Sequence, residues 1–224
     1  MIPTAKQMAE AIRINTEKLV RAEILEVESM SAAQALASDL LRQEKLGDGW
    51  AITVDREYPF AFRTLITDGG IIFRPVVSVD RIVIDSKLDE GFQHLDIALQ
   101  LACVENKYHA RWHFDKANLK GKGQYQDGPL YHLQFGGHVP NQANDFWLKE
   151  PRWAHAPMDL ILLLEAVAAN FYTDEWTEKI RRDPTWCEYV SQSERMCLSV
   201  YLEKIQKFLN IRSDTVLSGL WANA

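Results

Sequence analysis

A run of alternating side chains in the middle of the chain restricts its fold more than any other feature. From Tyr108 to Asp115 the sequence YHARWHFD puts Ala110, Trp112 and Phe114 on one side of an extended chain and His109, Arg111, His113 and Asp115 on the other. Beyond a tip containing Lys120-Gly121-Lys122-Gly123, Tyr131, Leu133 and Phe135 alternate with His132 and Gln134 in the same manner. A period of two belongs to a strand with one apolar and one polar face. The stretch from Tyr108 to Pro140 therefore reads as two neighbouring strands, and it holds four of the six histidines. Gly136-Gly137 permits a bend at the end of the second.

The same period extends upstream. Leu95, Ile97, Leu99, Leu101 and Cys103 face away from Asp96, Ala98, Gln100 and Ala102, which predicts a strand over 94–104. Trp50 to Val54, Tyr58 to Ile66 and Ile71 to Val79 are rich in β-branched and aromatic residues, and Thr67-Asp68-Gly69-Gly70 supplies a hairpin turn between the last two. Pro75 marks an edge or a bulge. Arg81 to Asp85 reads as a separate strand.

Helical patterns flank this region. Thr4 with Gln7 makes a capping box ahead of Met8, Ile12, Leu19, Val20, Ile24 and Val27. Ser31 with Gln34 repeats the signal, so the spacing predicts two helices broken near Met30 and stopped at Gly47-Asp48-Gly49. After an irregular stretch anchored by Trp147 and Trp153, Pro157 opens an apolar helix to about Tyr172. A short helix over 173–182 follows. Asp183 then caps, and Pro184 begins, a long helix to about Leu209, with Trp186, Val190, Cys197, Val200, Tyr201 and Ile205 inward; a last short helix falls over 214–221. The pattern predicts one α+β domain over 1–224, helical over 4–46, β-rich over 50–140 and helical over 157–221. Its centre is an antiparallel meander between an N-terminal helical pair and a C-terminal helical region.

Composition bears on partners and compartment. A formal charge of −6 argues against a surface that coats nucleic acid, while a local basic cleft stays compatible with it. Three widely spaced cysteines, Cys103, Cys187 and Cys197, suit a reducing cytoplasm and read as packing residues. The apolar run from Leu160 to Ala169 is too short to span a bilayer, and no secretory signal is visible. The expectation is a cytoplasmic protein with no membrane partner.

The polar face of the central strands is where chemistry could reside. If the two strands are neighbours, His109, Arg111, His113, Asp115, His132 and Gln134 share one surface, with cross-strand pairs about 4.5–5.5 Å apart. Two imidazoles near neutrality could serve as general base and general acid, and Arg111 could hold a phosphate. A second option is a metal held by His113, Asp115 and His132. The plain reading is the solvated side of an antiparallel sheet. No HExxH or paired CxxC spacing and no phosphate-binding loop accompanies these residues, so neither a metal nor a cofactor is expected.

YHARWHFD, then GPLYHLQFGG, then an apolar helix ending in NFY resemble bacterial proteins of a domain-of-unknown-function type encoded near toxin–antitoxin or phage-defence genes. The resemblance runs from about Tyr108 to Tyr172, implies an accessory role, and transfers no catalytic residue. The expectation is thus a cytoplasmic bacterial accessory protein acting by protein–protein contact, with a protein partner or a second copy of itself, in phage defence or a toxin–antitoxin system. The alternative is a metal-independent ribonuclease-like toxin using His113, His132 and Arg111, with His109 and Asp115 beside them.

Overall fold

The computed structural model describes residues 2–47, 49–54, 59–103, 109–120, 123–136, 151–211 and 213–223, with the side chains of Leu46 and His109 outside that description. Thr4 Oγ1 accepts from the Gln7 amide while the Thr4 amide donates to Gln7 Oε1, and this capping box opens α1 (Ala5–Arg21). Met8, Ile12 and Leu19 lie on its buried face. The helix ends before the apolar spacing suggests. Glu23 takes a left-handed φ of 62°, and Leu25 bridges to Phe62, so Ile24 and Leu25 are buried by docking on the sheet edge. α2 (Ser29–Gln43) begins without the expected Ser31 cap; Ser29 Oγ instead accepts from the Ala61 amide (3.1 Å) and donates to the Ala61 carbonyl (3.2 Å).

The strands are β1 (Gly49–Ile52), β2 (Phe60–Ala61), β3 (Leu65–Ile66), β4 (Ile72–Asp85), β5 (Phe92–Cys103), β6 (His109–Lys116), β7 (Leu119–Lys120), β8 (Gln124–Tyr125), β9 (Tyr131–Phe135) and β10 (Trp153–Ala154). Eight of them form one antiparallel sheet in the order β1-β4-β5-β6-β9-β10, with β2 and β3 also on β4, while β7 and β8 make a separate ribbon.

Two strands expected to be separate, over 71–79 and 81–85, are one. Val79 and Ile82 are three apart yet both fully buried, and a register shift between Val79 and Arg81 absorbs the extra residue, Asp80, as a bulge. The strand expected over 58–66 is instead the two short pieces β2 and β3, and Tyr58 is outside the described residues. Pro75 sits within β4 facing the gap between them, where its carbonyl accepts from the Phe62 amide and no donor is required of it.

The remaining elements are α3 (Leu160–Phe171), α4 (Thr173–Glu175), a π-helical turn (Trp176–Ile180), α5 (Pro184–Leu209) and α6 (Val216–Gly219). Asp159, rather than Pro157, caps α3: its buried carboxyl accepts from the Leu162 amide (2.9 Å) and from Ser193 Oγ of α5 (2.7 Å). Asp183 caps α5 as expected. Ile12, Leu36, Val77, Ile97, Leu164 and Val190 belong to one core cluster between the helices and one face of the sheet. The α+β architecture follows from the alternation: apolar positions of β4, β5, β6 and β9 take the helices, and polar positions take the other face. Cys197 is buried within the core, whereas Cys187 is exposed and Trp153 is 65 % exposed, so neither of these anchors packing. Among the described residues no helix is long and apolar enough to cross a membrane.

Candidate functional site on the polar sheet face

The β6–β9 register fixes where the polar residues meet. Asp115 faces His132 and His113 faces Gln134, so the two imidazoles are diagonal neighbours on adjacent strands, a separation of about 7–8 Å for such positions. Arg111, His113, Asp115, His132 and Gln134 share the face away from the core; His109 is paired with Ala102 in the ladder. Gly136 closes β9 with φ 87°, a conformation that suits glycine, and its amide bonds the Arg111 carbonyl at 2.8 Å. The Gly136 backbone at this turn also favours the protonated form of the His113 ring.

β5 supplies the residue that the sequence did not single out. Asp96 is the antiparallel partner of Asp115, two carboxylates directly opposed on one face, with small Ala98 facing His113 between them and Gln100. One ligand atom each from Asp96, His113 and Asp115 lies within 4.8 Å of the others. Asp80, the bulged residue of β4, raises the proton affinity of both His113 and Asp115 by its charge. Arg152, held by Gln126 Oε1 at 2.9 Å and the Asp127 carbonyl at 3.4 Å, acts with Arg111 in the opposite sense on Asp115. Asp96 replaces His132 in the ligand set of His113, Asp115 and His132 that the sequence offered for a metal. Asp96 was visible in the alternation, and pairing β5 and β6 as a hairpin would have set it opposite Asp115.

Burial dominates the protonation of the site. Asp115 is pushed up to about 8, by desolvation first and by Asp96 second, against Arg111 and Arg152. His113 falls to about 4 through desolvation and then the Arg111 charge. His132 also falls to about 4, through desolvation and then Arg152, although its Nδ1 contacts the Pro129 carbonyl at 3.2 Å. Two imidazoles poised near neutrality are therefore not what the fold delivers: both are neutral acceptors at pH 7. Among the described residues Arg111 Nε, His113 Nε2 and Asp115 Oδ1 are shut off from water without a hydrogen-bond partner. Buried polar atoms are seldom left so. The Lys120 ammonium pairs with Asp127 at 3.2 Å, and Gly121 and Lys122 of the basic tip, like His138 and Trp147, lie outside the described residues.

No protein-family model matches the sequence, and no curated protein and no solved structure matches it either.

Proposed function

We propose that this protein is a divalent-cation-dependent hydrolase of phosphate esters, with the cation held by Asp96, His113 and Asp115. The observation that supports this best is their convergence within 4.8 Å while His113 Nε2 and Asp115 Oδ1 have no hydrogen-bond partner among the described residues. Opposed carboxyls withdrawn from water keep a proton, with Asp115 pushed up to about 8, and a cation between them displaces that proton and pairs with both. One imidazole with two carboxylates suits Mn²⁺, Fe²⁺ or Zn²⁺ better than Mg²⁺ or Ca²⁺, which prefer oxygen alone. Three protein ligands leave positions for water, whose pKa a bound Zn²⁺ lowers to about 7. Arg111 and Arg152 flank the cluster and match phosphate oxygens. His132, neutral and opposite Asp115, is the acceptor for the proton of the attacking water.

The test is to titrate EDTA-treated protein with Mn²⁺, Zn²⁺ and Mg²⁺. One equivalent of Mn²⁺ or Zn²⁺ should bind, and a hundredfold excess over Kd should add about 2.7 kcal/mol of stability, roughly 5–10 °C in Tm. Cation-dependent hydrolysis of bis(p-nitrophenyl) phosphate should vanish in His113→Ala. A Tm indifferent to all three cations would sink the reading.

A second reading is an accessory role by protein contact in phage defence or a toxin–antitoxin system. It is favoured by Trp153 and Phe135, 65 % and 50 % exposed on neighbouring short strands at the open end of the sheet. Exposed aromatics concentrated at one place are typical of interfaces. In native mass measurements the protein should run as a complex or a dimer, and Trp153→Ser should shift it to monomer; a strict monomer counts against contact through this edge.

A further inference from the structure

α3 and α5, together with the segment 155–158 that follows β10, line a cleft of about 410 Å³ that shares no residue with the Asp96, His113 and Asp115 cluster. α3 buries Leu160, Ile161, Leu163, Leu164, Val167 and Ala168 against the core, and the stripe it turns to the cleft is apolar at Leu162, Ala166 and Ala169, with Glu165 its one charged position. A surface helix ordinarily carries polar residues there. The two small alanines of α3, Leu198 of α5 and Trp176 all line the cleft.

Two carboxylates, Glu165 and Glu194, line this cleft, and the His155 ring lines it as well. Glu165 is held by the Trp186 indole N–H at 3.1 Å, and it sits above the usual carboxylate range because it is half-buried, with the Glu194 charge adding to the effect. The Trp176 ring already takes a cation within the protein, since the Arg181 guanidinium carbon lies 5.5 Å from its centroid.

We propose that the α3–α5 cleft binds a small apolar amine, its ammonium between Glu165 and Glu194 and its hydrocarbon body on Ala166, Ala169 and Leu198. The volume falls within the range of small-molecule sites, about 300–1,000 Å³, and the lining follows their pattern of apolar walls with a few oriented polar groups. A carboxylate ligand meets two like charges, and a neutral one gains nothing from either. The amine satisfies both.

Calorimetric or NMR titration with 2-phenylethylamine, 2-phenylethanol and 3-phenylpropionate tests this on the intact chain. The amine should bind at least tenfold more tightly than the alcohol, and the carboxylate should not bind. Glu194→Gln, at an exposed position, should weaken the amine tenfold and leave the alcohol unaffected. Ala166→Met should fill the cleft and reduce amine and alcohol together, with circular dichroism and Tm reporting that the fold persists. Equal affinity for amine and alcohol, or an amine affinity untouched by Glu194→Gln, overturns the proposal; neither result bears on the cation at Asp96, His113 and Asp115.

Discussion

Asp115 concentrates the conflict of the polar face in one side chain. It is half-buried, opposes Asp96 across the ladder, and keeps one oxygen without a partner among the described residues. A directly opposed like pair costs a sheet roughly 0.2–1 kcal/mol, and withdrawal from water adds to that. Arg111 and Arg152 offset part of the cost. The arrangement is hard to explain by stability and easy to explain by a bound cation. Asp115→Asn keeps the shape and removes the cost of holding the carboxyl protonated beside Asp96. In EDTA-treated protein it should therefore raise the stability read by urea denaturation, by on the order of 1 kcal/mol. The same substitution should abolish the Tm rise on adding Mn²⁺. A destabilised variant that still responds to Mn²⁺ would mean that Asp115 serves packing alone.

At the scale of elements, what was legible followed from periodicity, and what was not followed from register. Alternation in β5, β6 and β9 gave the faces correctly because the side-chain period of a strand is fixed by its backbone. Helix ends with a side-chain acceptor, Thr4 and Asp183, were readable for the same local reason. The start of α2 was not, since Ser29 turns its hydroxyl to the sheet at Ala61, a partner 32 residues away. The bulge at Asp80 was also hidden: Val79 and Ile82 look out of phase until both are required by one core. Of the candidate site, the residues within each strand were visible, whereas Asp96, Asp80 and Arg152 needed the pairing of β5 with β4 and β6 and the Gln126 anchor to bring them in. Burial was the other missing quantity. Alternation told which way His113 and His132 point, yet not that desolvation would hold both rings neutral.

Across the whole molecule, the two ends of the chain are tied together around the sheet. Lys18 of α1 donates to Asp183 Oδ2 at 2.7 Å, joining the N-terminal helical pair to the cap of α5 over 165 positions of sequence. Burial alone would raise the Asp183 carboxyl; the hydrogen bonds from Lys18 and from the Trp186 amide outweigh it and hold the group below its usual 3.8. A carboxyl depressed in the folded state binds fewer protons there than in the unfolded chain, so stability falls as pH falls through that interval. Its contribution is complete above pH 3.8 and is lost as pH drops through the folded-state value. Asp183→Asn retains an acceptor for the Trp186 amide and loses the charge. Compared with the native chain by urea denaturation, it should be less stable by about 1 kcal/mol at pH 7, since the pair is only partly exposed. That gap should close toward pH 2 as the native carboxyl takes its proton. A gap that stays constant over the whole range would show that the Asp183 charge plays no part in holding α1 against α5, and that the cap alone accounts for the loss.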